Sequence, residues 1–124
     1  MSNQPKNQKH ILIVNQSAPY SCNAKEALDL ALAAATFEQR VSVLFVADGC
    51  YQLLAGQASA VIDQKSITKM LQAFPIYGIE ELLVDSRSLK ERNIENYEDG
   101  LNIREISTRE VKALYQSANS VFRF

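Results

Sequence analysis

The chain has 124 residues, 47% of them hydrophobic and 22% charged, enough apolar surface for one domain with its own core, which excludes a disordered or fibrous protein. Thirteen Lys and Arg against fourteen Asp and Glu leave a net charge of -1, without the positive excess that drives binding to a phosphate backbone, so no direct contact with nucleic acid is expected. The longest nearly apolar run, Ala27 to Ala35, is interrupted by Asp29 and falls far short of the roughly 20 residues that span a membrane.

Met1 to Lys9 is polar, with no small-residue cleavage site after it, and reads as a flexible tail on a cytoplasmic protein whose domain runs over residues 10–124. His10 to Gln16 is rich in branched residues, as a strand buried on both faces requires. The turn segment Ser17 to Asn23 follows, with Asn23 as the expected cap of a helix over Ala24 to Gln39 whose Ala27, Leu28, Ala31, Leu32, Ala34 and Ala35 suit close packing on a sheet. Val41 to Val46 reads as a second buried strand, ended by Ala47-Asp48-Gly49, and completes a βαβ unit.

Cys50 to Leu54 then reads as a short helical turn and Ala55 to Ser59 as a loop. A helix is expected over Ser66 to Phe74, with Ile67, Met70, Leu71 and Phe74 at helical spacing, stopped by Pro75 and Gly78. Glu81 to Asp85 is the third strand, Ser86 to Arg92 a short helix with a hydroxyl cap, and Leu101 to Ile106 a more alternating, less buried strand; the acidic stretch Asn93 to Gly100 between them resembles a linker. Thr108 to Asn119 closes as a helix capped by Ser107 or Thr108, with Glu110 in its first turn and Val111, Leu114, Tyr115 and Ala118 as its apolar stripe. Ser120 to Phe124 is the last strand.

This order predicts an α/β fold: one open, mostly parallel sheet of about five strands with helices on both faces. Sites in such a sheet lie beyond the carboxyl ends of the strands, which singles out the loops 17–23, 47–51 and 85–88. Two cysteines are too few for a disulfide scaffold and one histidine too few for a Cys/His zinc site, so neither a metal nor a cofactor is expected. Cys50, beside a helix start, has two readings, a nucleophile or persulfide carrier and a small buried apolar side chain; Cys22, on the first site-side loop near Lys25, is either reactive or an incidental surface thiol. Asp48 and Asp85 end strands, where paired acids do acid/base work or cap the next turn. His10 lies at the opposite end of the sheet, in a structural or solvated place. No nucleotide-binding glycine pattern is present. Tyr51 to Gln57 mixes an aromatic, leucines and glutamines, and with Phe122 and Phe124 it reads either as an interface or as ordinary core.

The segments Ser17-Ala18-Pro19, Lys25 to Asp29, Ala47 to Gln57, Ser88 to Arg92 and Val121 to Phe124 resemble the TusC/DsrF subunit type of the DsrE-like sulfur-relay proteins. The specific part is Ala-Asp-Gly-x-Tyr-Gln-Leu-Leu-x-Gly-Gln, which marks Asp48, Gly49, Tyr51, Gln52, Leu53, Leu54, Gly56 and Gln57 as signature or interface candidates. The resemblance implies a small subunit that joins TusB-type and TusD-type subunits in a dimer of heterotrimers, taking persulfide sulfur from a TusA-type carrier and passing it to a TusE-type one for 2-thiouridine formation at tRNA wobble positions. In DsrF-type complexes it serves sulfur oxidation instead. The sulfur-bearing cysteine of TusD-type subunits precedes a helix resembling Ser86 to Arg92; Leu83 to Leu89 here contains no cysteine, so the resemblance implies a non-catalytic subunit. A stand-alone homo-oligomeric persulfide carrier using Cys50 or Cys22 is the competing expectation.

Overall fold

The computed structural model describes residues 9–19, 21–54 and 62–124. The expected tail up to residue 8, the loop over 55–59 and the candidates Gly56 and Gln57 therefore lie outside the described residues.

Five strands form one sheet in the order β4-β3-β2-β1-β5, and every pairing is parallel. They are β1 (His10–Asn15), β2 (Arg40–Phe45), β3 (Leu82–Asp85), β4 (Ile103–Ile106) and β5 (Ser120–Arg123). The helices are α1 (Cys22–Thr36), α2 (Ile62–Ala73), α3 (Ser86–Glu91) and α4 (Thr108–Ser117), with 3-10 helices over Ala47–Leu53 and Phe74–Tyr77. From β1 to β4 the chain steps one way across the sheet, then returns past β1 to lay down β5. Right-handed crossovers put the first three connections on one face and the last on the other.

The core divides accordingly. Side chains alternate between the faces of a strand, so Ile13, Val43, Phe45, Leu82 and Val84 pack on one side with Ala24, Ala27, Leu28 and Ala31 of α1, Leu71 of α2 and Leu89 of α3. Leu12, Val14, Leu44, Leu83 and Ile106 pack on the other, against Val111, Leu114 and Tyr115 of α4. The alanines of α1 let that helix approach the central strands closely, as its composition predicts.

Local chemistry moves several expected boundaries. Ser21, not Asn23, caps α1, its hydroxyl accepting from the Asn23 N–H at 3.1 Å; the helix stops at Thr36 because Glu38 turns left-handed, with φ 63°. Helix α2 starts one turn before Ser66, no breaker standing between 62 and 66. The cap position of α3 is Asp85, which makes no side-chain bond to the helix backbone, so the expected hydroxyl cap is not present. Ser107 is the cap of α4, in a reciprocal capping box with Glu110. The stretch 93–100 is not a linker: Ile94 is buried, Leu54 bridges to Tyr97, and the Glu98 N–H donates to the Leu53 carbonyl at 2.8 Å.

The two sheet edges differ. On β4, Arg104 pairs with Glu81 at 3.3 Å and Glu110 at 3.6 Å, while the Tyr97 hydroxyl donates to Glu105 at 2.7 Å; charge protects an edge from pairing with another strand. On β5, Val121 and Phe122 are exposed. Among the described residues no helix is long and apolar enough to cross a membrane.

Candidate functional site

The three loops expected to matter do meet beyond the carboxyl ends of β1, β2 and β3. An apolar strand that ends in an amide places a polar group in the interior, and such a group requires a partner. Asn15, the last residue of β1, is fully buried, and its partner is Gln52, buried on the 3-10 helix that follows β2. The two amides pair reciprocally, Asn15 Nδ2 donating to Gln52 Oε1 at 3.1 Å and Gln52 Nε2 donating to Asn15 Oδ1 at 2.7 Å. Gln52 Nε2 also donates to the Ser17 carbonyl at 2.9 Å, which ties the loop after β1 to the loop after β2.

Gly49 is required by space. A Cβ there would stand 1.9 Å from the Asn15 carbonyl oxygen, the same oxygen that accepts the Val46 N–H at 3.1 Å. Ala47 has a left-handed φ of 50°, which a side chain adopts only at a cost, and its N–H donates to Ser88 Oγ at 2.9 Å. The Ser88 hydroxyl in turn donates to Asp85 Oδ2 at 2.8 Å. Arg92 closes the arrangement, its Nε 3.1 Å from Asp48 Oδ1 and its Nη1 donating to the Ser88 carbonyl at 3.4 Å. Asp85 and Asp48 are thus engaged by a hydroxyl and a guanidinium, and neither caps a backbone turn or faces the other as a paired acid.

Cys50 takes the buried reading. It is fully enclosed, its sulfur 3.7 Å from the Phe45 carbonyl, and burial pushes its thiol up to about 12, against the opposing charge of Arg92 and with the help of Asp85 and Asp48. A thiol in that state keeps its proton at neutral pH, whereas it is the thiolate that attacks sulfur or binds a metal. Cys22 is exposed in the first turn of α1, beside a shallow cleft of about 260 Å³ lined also by Pro19, Lys25, Asp29 and Ile67. His10 lies at the amino end of the sheet, buried, with Nε2 2.8 Å from Ser42 Oγ. Among the described residues no group of three or more His, Cys, Asp and Glu is placed to hold a metal ion.

The signature divides between core and surface. Gly49, Gln52 and Leu53 are buried, because the segment coils into a 3-10 helix that turns them onto β1 and the α1 face of the core. Asp48 is exposed, and Tyr51 and Leu54 are half-buried. Phe122 is exposed, whereas Phe124 packs partly on the core, its N–H donating to the Val14 carbonyl at 2.9 Å and its carbonyl accepting from the Gln16 N–H at 3.0 Å. Sequence reading missed Asn15, Ser88 and Arg92. For Asn15 a signal existed, a lone amide ending a run of aliphatic residues; for Ser88 and Arg92 the partners that join one loop to another, Ala47 and Asp48, lie 41 and 44 residues away, and nothing local announces those.

A parallel five-stranded sheet, covered on one face by three helical connections and on the other by one, with its loops fastened at the strand ends, defines a small doubly covered α/β domain. The chain belongs to the DsrE/DsrF-like family, whose sequence pattern matches residues 9–124. It is 37% identical over 112 residues to the Protein TusC homolog of Pseudomonas aeruginosa, covering 90% of this chain and 94% of that protein. It is 33% identical over 131 residues to the intracellular sulfur oxidation protein DsrF of Allochromatium vinosum, covering 94% and 96%. The crystal structure of the ychN protein from E. coli superposes with a TM-score of 0.71 at 21% identity, covering 94% of this chain and 99% of that one. The likeness to TusC/DsrF-type subunits read from the sequence and the parallel five-stranded fold are both borne out.

Proposed function

We propose that the chain is a non-catalytic structural subunit of a cytoplasmic sulfur-relay complex, assembled with TusB-type and TusD-type subunits and serving transfer from a TusA-type to a TusE-type carrier, with tRNA 2-thiouridine as the end point. In such a relay a thiolate attacks the terminal sulfur of a donor persulfide, forms the new S–S bond, and releases the donor as its thiolate. One observation carries the reading: at the carboxyl end of β3, where the resemblance puts the sulfur-bearing cysteine of a TusD-type subunit, this chain has Asp85, Ser86 and Ser88, and the Ser88 hydroxyl is committed between Asp85 and Ala47. The buried, protonated Cys50 is in keeping with that. A DsrF-type role in sulfur oxidation is the second reading, favoured by the likeness to the Allochromatium protein.

Native mass by light scattering on a sizing column tests the proposal. Co-expressed with TusB-type and TusD-type subunits, the chain is expected to migrate in one assembly holding all three chain types. A stable homo-oligomer that excludes the other two overturns the reading and favours the stand-alone carrier.

A further inference from the structure

The edge strand β5 lacks the exposed charge that guards β4, where Arg104 and Glu105 both stand in solvent. It pairs with β1 alone and carries a single charge, which is turned back off the edge. Arg123 Nη2 donates to Tyr115 Oη of α4 at 3.2 Å, and its guanidinium lies 5.4 Å from the centre of that ring. What β5 presents instead is apolar: Val121 is 37% exposed and Phe122 42%.

The ladder with β1 fixes which main-chain groups of β5 are unused. The Phe124 N–H donates to the Val14 carbonyl at 2.9 Å, and the Phe124 carbonyl accepts from the Gln16 N–H at 3.0 Å. Residues 122 and 124 therefore face β1, and by the alternation of a strand Val121 and Arg123 turn their N–H and C=O groups outward. Among the described residues no strand meets those groups. Paired residues share a face of the sheet, so Phe122, opposite Ile13, lies on the α1 side, and Val121, opposite Leu12, on the α4 side.

An identical edge complements this one. With two β5 strands antiparallel about a two-fold axis at Phe122, each Val121 stands opposite the other copy's Arg123, and both residues face outward. Each such pair exchanges two N–H···O=C bonds, so every outward N–H and C=O of both copies is used. The two Phe122 side chains meet at the non-hydrogen-bonded position, with Cα atoms ~4.5 Å apart, where cross-strand aromatic pairs are favourable. The two Arg123 Cα atoms stand ~8 Å apart, each guanidinium drawn to its own Tyr115, so the axis brings no like charges into contact. An axis at Val121 instead would set Arg123 opposite Asn119, whose N–H is already given to the His10 carbonyl at 2.8 Å.

We infer that β5 is a self-association edge, by which two copies of this chain join their sheets into one continuous sheet about a two-fold axis through Phe122. Four residues a side are far fewer than the roughly 20–30 of a stable interface, so the dimer exchanges with monomer and grows with concentration. It leaves both faces of the sheet and the loops at the strands' carboxyl ends uncovered, and so neither requires nor blocks association with other subunit types.

Sedimentation velocity of the full chain as Cys22→Ser, which removes the exposed thiol, tests the inference over a series from micromolar to millimolar. The mass is expected to rise from monomer to dimer and to stop there. Val121→Pro removes an outward N–H and no bond of the β1 ladder; it is expected to melt close to the parent and to weaken dimerisation at least tenfold. Phe122→Cys in the same background is expected to form an intermolecular disulfide on mild oxidation, since the Cα spacing at the axis suits one. Val121→Cys, with its two copies ~8 Å apart, is not. A mass that stays monomeric throughout, association that Val121→Pro leaves unchanged, or equal cross-linking at 121 and 122 overturns the proposal. The cross-link reads the register without relying on the proline variant.

Discussion

Gly49→Ala is expected to cost at least ~3 kcal/mol of stability, a large share of the roughly 5–15 kcal/mol of a domain this size. The obstacle is main chain: the new Cβ would lie 1.9 Å from the Asn15 carbonyl oxygen and 2.7 Å from its carbon, and neither atom can rotate away. Relief requires the loop after β2 to lift from β1, stretching the Val46 to Asn15 and Gly49 to Val46 hydrogen bonds, now 3.1 and 2.9 Å. Gly78 provides the contrast. Its φ is 89° with open space around it, so alanine there meets only the left-handed penalty of about 1–2 kcal/mol. Urea denaturation of the two variants checks this; a loss below about 1 kcal/mol at Gly49 would contradict the close packing of loop on strand.

Gln52→Leu is expected to cost about 2–4 kcal/mol, by leaving the buried Asn15 side-chain oxygen and the half-buried Ser17 carbonyl without the N–H that now donates to both. Gln52→Glu keeps the shape and reverses the chemistry, setting a carboxylate oxygen against two acceptors, Asn15 Oδ1 and the Ser17 carbonyl, where an N–H now donates at 2.7 and 2.9 Å. The introduced carboxyl titrates above its unfolded value. Its destabilisation is therefore smallest at low pH, where the proton restores a donor, and grows as pH rises through the folded value. Urea midpoints for both variants at pH 4.5 and pH 7.5 measure the effect. A glutamate variant insensitive to pH would mean that the amide pair is open to water.

Much of the fold was legible because it rests on local patterns. Aliphatic runs fixed the central strands, an alanine-rich run fixed α1, and the alternation of Ile103 to Ile106 marked β4 as peripheral, which agrees with its place at a charged edge. Boundaries shifted where one side chain outcompeted another, as Ser21 did Asn23. The candidate site was legible in its loops and not in its bonds. The signature stretch reads either as an interface or as core because leucines, glutamines and an aromatic suit both, and it is a 3-10 turn that sends Gln52 and Leu53 inward. The hydroxyl bridge from Asp85 through Ser88 to Ala47 depends on how β2 and β3 end side by side, and only tertiary structure sets that.

The central claim is that this chain supplies structure, and no thiol, to a sulfur relay. Its most direct test is transfer of labelled persulfide sulfur from a TusA-type donor to a TusE-type acceptor by the three-subunit complex, carrying this chain as Cys22→Ser with Cys50→Ala. Transfer is expected at the wild-type rate, with label found on the TusD-type subunit and none on this chain in the wild-type complex. Transfer abolished in an assembled complex, or label held on Cys22 or Cys50, would contradict it.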